Sequence, residues 1–212
     1  MGKLLTELVS TFFLVLTVGL TVIGQTPFAP LAIGSALMIM VYMAGPVSGG
    51  HVNPAVTLAV YLRGKLPARD VVPYWIAQIT GALLAALTVR LVTGQTFAPA
   101  PDPSASVLAA LLIEILFTFA LALVVLNTAT NPAVAGNSYF GLAIGFTVVV
   151  GAFAGGPISG GAFNPAVGTG PILVSAIVGG GSLSAFWLYL VGPLAGGALA
   201  ALVYRVQHAA TD

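Results

Sequence analysis

The chain has 212 residues, of which six are Lys or Arg, five are Asp or Glu and none is Cys, with 58% hydrophobic residues and a mean hydropathy of +1.08. Charged residues make up 5%, where a soluble domain carries about 25%, so a soluble monomer could not cover its surface with polar groups. A net charge of +1 leaves no electrostatic footprint for nucleic acid, and the lack of cysteine excludes disulfides, thiolate nucleophiles and Cys-ligated metals. What remains is an integral membrane protein. Its charges are spaced accordingly: 55 residues separate Glu7 from Arg63 and 90 separate Glu114 from Arg205, whereas about 20 apolar residues cross a bilayer once. The apolar runs do not alternate as barrel strands do, which leaves helices to satisfy every backbone group in lipid.

In chain order, a first span is expected at 4–23, closed by Gly24, and a second at 31–44 after a turn. A third opens near Pro73, a residue suited to a first helical turn, and ends at Val92. The loop 93–106 is rich in proline and alanine. A fourth span at 107–126, a polar turn at 127–138, a fifth span at 139–154 and a sixth at 184–204 complete the set. Two apolar stretches are left over, 54–62 and 165–178, too short or too broken by Gly and Pro to span alone.

Each leftover stretch follows nearly the same string. GPVSGGHVNPAV at 45–56 and GPISGGAFNPAV at 156–167 are identical at nine of twelve positions, at an offset of 111. A second echo joins Glu7-x-x-x-Thr11-Phe12 to Glu114-x-x-x-Thr118-Phe119. The chain therefore reads as a single all-α membrane domain of six transmembrane helices and two re-entrant half-helices. Its two repeats are 1–106, with a half-helix at 54–62, and 107–212, with a half-helix at 165–178. Three spans per repeat turn the second repeat upside down, and in inverted repeats the short interrupted segments mark the working site. Lys3, Arg63, Lys65, Arg69 and Arg205 fall on one side of this scheme and Arg90 on the other. That bias places both termini in the cytoplasm of a multi-pass protein of the cell membrane, plasma or inner. The opening MGKLL resembles a signal peptide, but no small-residue cleavage site follows, and the segment reads as a retained span.

Asn53 and Asn164 each precede a proline, the pairing of a strong N-cap with a favoured first helical residue. Two inverted segments of this kind bring two helix N-termini together at mid-membrane, each presenting about half a positive charge, a place that repels cations. If each Asn oxygen caps its own helix, the amide N–H groups are left to point outward. A water held between two such donors has its lone pairs engaged and accepts poorly from its neighbours, which breaks a proton wire. A third string, Asn131-Pro132-Ala133, has no glycine approach and no apolar helix after it, and reads as a surface turn.

The paired motifs Asn53-Pro54-Ala55 and Asn164-Pro165-Ala166, the string SGGHVNPAVT, the two Glu-x-x-x-Thr-Phe openings and Gly192-Pro193 in the last span resemble the aquaporins, or major intrinsic proteins. The likeness covers essentially the whole chain. It implies a water channel with Asn53 and Asn164 as central donors. It also implies pore-lining carbonyls at Gly49, Gly50 and His51 and at Gly160, Gly161 and Ala162, and re-entrant loops supported by Glu7 and Glu114. A homotetramer with one pore per subunit is implied too, with water and small neutral solutes as partners. The sequence departs from the family at the selectivity filter. Most members carry Arg directly after the second Asn-Pro-Ala, and here the residue is Val167. The filter positions become Ile33, Ala152, Gly161 and Val167, all apolar and uncharged, so the resemblance leaves open whether glycerol, urea or ammonia passes with water.

Other readings stay beside this one. The channel chiefly serves non-water solutes; or the chain is a coupled transporter, which would need an ionisable midplane residue and has only Glu7 and Glu114; or it is a structural membrane protein. An enzyme is not expected, since the sequence shows no nucleophile–base pair or metal set, and no cofactor is implied. His51 reads as a hydrogen-bonded loop residue. Trp75, Trp187, Tyr74 and Tyr189 read as interfacial anchors or packing.

Overall fold

The computed structural model describes residues 1–209; the last three positions of the second expected repeat, 210–212, lie outside the described residues. Eight α-helices follow one another: α1 (Gly2–Ile23), α2 (Ala29–Ser48), α3 (Pro54–Leu62), α4 (Ala68–Thr93), α5 (Val107–Ala129), α6 (Phe140–Ser159), α7 (Pro165–Val178) and α8 (Leu188–Gln207). Six of them, all but α3 and α7, are long and apolar enough to cross a membrane. Six crossings put the start of α1 and the end of α8 on one face, called here the terminal face, and the loop between α4 and α5 on the distal face.

The helix ends differ from the expected ones for local reasons. α2 and α6 run on through Pro46 and Pro157 to Ser48 and Ser159. Each proline lies in the last turn, where its missing N–H removes a single backbone bond. The helices stop two residues later, where Gly49 and Gly160 adopt the left-handed conformation (φ 92° and 88°) that a C-terminal cap requires. α4 starts at Ala68, ahead of Pro73, and carries Asp70 in its first turn and Arg90 in its last, charges that complement the helix dipole. α8 starts at Leu188, after a turn across 184–187. Asn131-Pro132-Ala133 forms a short 3-10 turn at Pro132–Val134 on the surface.

Packing follows the internal echo. α1 lies along α4 and α5 along α8, while α2 crosses α6. The half-helices pack on the opposite repeat's last span, α3 on α8 and α7 on α4. The tight crossings depend on small residues: a Cβ on Gly81 would strike the carbonyl of Leu8, and one on Gly196 the carbonyl of Ile115. Polarity is inside out. Glu7, Thr11, Gln78, Glu114 and Thr118 have no exposure, whereas Phe13, Ile39, Ile76, Leu116 and Leu202 stand exposed around the outside. Such an apolar sheath suits hydrocarbon, and the molecule is a multi-pass membrane protein. On the terminal face Arg205 Nη2 donates to Leu62 O at the end of α3, and the Arg63 guanidinium lies 4.5 Å from the Tyr204 ring centroid. These contacts tie α3 to α8 and place cations at a helix C-terminus.

Candidate functional site: a central cavity between two half-helices

The two re-entrant loops are each built on one buried carboxylate. Glu7 accepts from Ser48 Oγ (2.7 Å) and from the backbone N–H groups of His51 (2.9 Å) and Val52 (2.7 Å). Glu114 accepts from Ser159 Oγ (2.8 Å), Ala162 N (3.0 Å) and Phe163 N (2.7 Å). Non-helical backbone at membrane depth must find such partners within the protein, and the carboxylates in turn need several donors to be tolerated there. Tyr74 and Tyr189 finish the job by donating to the carbonyls of Ser48 and Ser159. Both tyrosines are fully buried, so of the two readings open for them, packing holds and interfacial anchoring does not. Trp75 donates Nε1–H to Pro54 O at 3.0 Å, and Trp187 alone of the four is exposed.

The residues just before each Asn are left-handed, Val52 at φ 53° and Phe163 at φ 48°. A branched or bulky residue there is strained by about 1–3 kcal/mol, and both of its peptide groups are engaged. The N–H goes to the glutamate, and the carbonyl turns across the centre to the other repeat. Asn164 Nδ2 donates to Val52 O and Asn53 Nδ2 to Phe163 O, both at 2.9 Å. Each Asn oxygen caps its own half-helix, accepting from Ala55 N (2.8 Å) and Ala166 N (2.9 Å). This differs from the sequence expectation that all amide hydrogens point outward. One hydrogen of each amide locks the two loops together, and one is left over.

Both asparagines border a cavity of about 390 Å³ that runs along the bundle interior. All four expected filter positions, Ile33, Ala152, Gly161 and Val167, lie on its wall, with Gly50, His51, Gly160 and Ala162. Gly49 does not; it is the exposed left-handed cap where the chain turns back from α2. Pro54, Ala55, Pro165 and Ala166 are buried behind the wall, where they start the half-helices. Much of the wall is contributed twice, by Leu14 and Leu121, Val18 and Val125, Ile33 and Ile144. Phe97, Ala98, Pro99 and Ala100 of the loop between α4 and α5 add to the lining. That loop is pinned by Asp102 N to Ile158 O (3.0 Å). Ser104 donates twice to the Asp102 carboxylate and holds it below the usual carboxylate range.

Sequence reasoning placed this loop but not its part in the cavity wall, and it missed Gln78. Its Nε2 bridges Glu7 (2.8 Å) and Thr57 Oγ1 (3.0 Å). Thr57 donates to Asn53 O (3.0 Å), so it accepts from His51 Nδ1 (3.1 Å), and the His51 proton sits on Nδ1. Nε2 is then an acceptor with no partner among the described residues, on a residue of the cavity wall. A lone Gln in the apolar α4 was the available signal.

The description of the family "Major intrinsic protein" matches residues 1–204. Aquaporin NIP1-1 of Zea mays is 38% identical over 96% of this chain and 74% of its own length. Aquaporin TIP2-3 of Arabidopsis thaliana is 42% identical over 80% of this chain and 67% of its own. In structure, the aquaglyceroporin from Plasmodium falciparum superposes with a TM-score of 0.84 at 23% identity, across 95% of this chain and 94% of that one, a likeness of fold. With the family's pattern matched along nearly its whole length, the chain belongs to the major intrinsic protein family.

Proposed function

We propose that this chain is a passive transmembrane channel, not an enzyme, for water and other small neutral solutes. The observation that carries the reading is the pair of half-helix N-termini facing each other on one cavity, each capped by an Asn with an amide hydrogen to spare. Asn53 and Asn164 donate to a passing water and orient its own hydrogens away from the centre, toward both mouths. Together with the positive helix ends this opposes protons and cations. Gly50, His51, Gly160, Gly161 and Ala162 offer carbonyls along the way, and Glu7 and Glu114 hold the loops. Each of these carboxylates accepts from a serine hydroxyl and two backbone N–H groups of its own loop, which favours a scaffold over a coupling site. The related proteins named aquaporins support water as a solute. Two repeats, 1–106 and 107–212, account for the paired loops. The channel is a homotetramer in the cell membrane, plasma or inner, with cytoplasmic termini, the side that Lys3, Arg63, Lys65, Arg69 and Arg205 select.

The ring of Ile33, Ala152, Gly161 and Val167 lacks the bulk, hydrogen bonds and charge of an arginine, and passes glycerol, urea or ammonia as well as water. Stopped-flow light scattering on proteoliposomes tests both levels. The channel gives fast water flux with low activation energy and no saturation; flux no faster than in protein-free vesicles contradicts it. Val167→Arg lowers glycerol flux more than water flux, and strict exclusion of all three solutes by the wild type contradicts the wide ring.

A further inference from the structure

The cavity wall carries three of its four filter residues twice. Ile33 is the fifth residue of α2, which enters from the distal face, and Ile144 is the fifth residue of α6, which enters from the terminal face. Val167 follows the second Asn-Pro-Ala and Val56 follows the first. Gly161 and Gly50 occupy matching left-handed positions, φ 64° and 63°. All six residues line the cavity. In a relative with Arg after the second motif the two ends of the pore would be chemically different. Here Val167 makes the distal ring a near copy of what stands on the terminal side. The copies differ at two places. Val41, larger than its counterpart Ala152, backs Gly50 so closely that a Cβ there would lie 3.2 Å from its carbonyl oxygen. His51 adds a polar ring where the distal side has Ala162.

We infer that Ile144, Gly50 and Val56 form a second specificity-determining constriction on the terminal side, matched to the distal one. The inference rests on the channel reading above. Two apolar rings in series add their resistances, so a solute is selected by both and neither alone fixes the preference. Gly50 is the residue least able to change, because its backbone is left-handed and α2 stands directly behind it.

The test compares water and glycerol permeability in proteoliposomes of the wild type, Ile33→Phe and Ile144→Phe, each checked for a monodisperse peak in detergent. Filling either ring lowers the glycerol-to-water ratio by about tenfold, the scale on which added bulk in an apolar pocket discriminates. A wild-type ratio in Ile144→Phe, with a lowered ratio in Ile33→Phe, overturns the second constriction. If either variant fails to give that peak, Val56→Leu and Val167→Leu take its place with the same expectation. If the wild type excludes glycerol, Ile33→Ala alone leaves it excluded and Ile33→Ala/Ile144→Ala admits it; admission by the single variant overturns the inference. Absence of water flux in the wild type would instead remove the channel reading on which the inference rests.

Discussion

The two loop cradles reach the same geometry with unequal means. Around Glu7 a fourth donor, Gln78 Nε2, joins the three that Glu114 also has, and Gln78, Thr57 and His51 extend it into a closed polar network. Around Glu114 no such extension exists among the described residues. Tyr189 stands to Ser159 as Tyr74 stands to Ser48, and Gly196 meets α5 as Gly81 meets α1, so the position matching Gln78 is Pro193. Proline brings no side-chain donor. The comparison separates what the loop needs from what one repeat adds. A carboxylate with a serine hydroxyl and two backbone N–H groups is enough to hold left-handed Val52 or Phe163, and the rest is reinforcement of one side.

That difference is open to attack from both sides. The largest effect is expected from Glu114→Gln. Its new amide group faces donors, leaving a buried N–H unpaired at a cost of about 1–3 kcal/mol, and thermal unfolding in detergent drops by several degrees. Glu7→Gln loses less, because Gln78 Oε1, which has no partner, can turn to accept from the new amide. Equal losses, or the reverse order, would break the comparison. Next comes Gln78→Leu, which reduces the first cradle to the bonding of the second. Stability falls by about 1 kcal/mol, and water flux stays close to the wild-type value; a lost flux would mean that the network acts in permeation. The smallest effect is none. With no cysteine in the chain, mercuric chloride leaves wild-type water flux unchanged, whereas Ala162→Cys, on the cavity wall opposite in repeat to His51, becomes sensitive and is rescued by a thiol. Rapid, thiol-reversible block of the wild type would assign the flux to another protein.

The membrane architecture was legible because charge is so sparse that six spans and two remainders are the natural division of the chain. The half-helices were legible because Asn-Pro is a capping pair whose chemistry is local, and Glu7 and Glu114 because an uncompensated carboxylate cannot sit in a span. Local chemistry also explains the third motif. Asn131 caps its turn through Ala133 N at 2.9 Å, as Asn53 caps α3, yet it is only half-buried. The capping bond is the same at all three sites, and only burial against a second loop distinguishes two of them. What the sequence hid depends on tertiary contact: the cross-repeat bonds from each Asn to Phe163 O and Val52 O, the part of Phe97–Ala100 in the cavity wall, and Gln78. Helix ends at Gly-Pro pairs were placed too early because a proline in the last turn removes one bond without stopping the helix.

The central claim is that the facing N-termini at Asn53 and Asn164 form the passage. Its most direct measurement is osmotic water permeability together with proton and potassium conductance, in the same proteoliposomes, for the wild type, Asn53→Asp and Asn164→Asp, using variants that elute from detergent as the wild type does. The wild type conducts water quickly and carries no ions. Each aspartate replaces a donor with a carboxylate between two positive helix ends, so water flux falls, cations leak, or both. Unchanged water flux and no ion conductance in both variants would contradict the account.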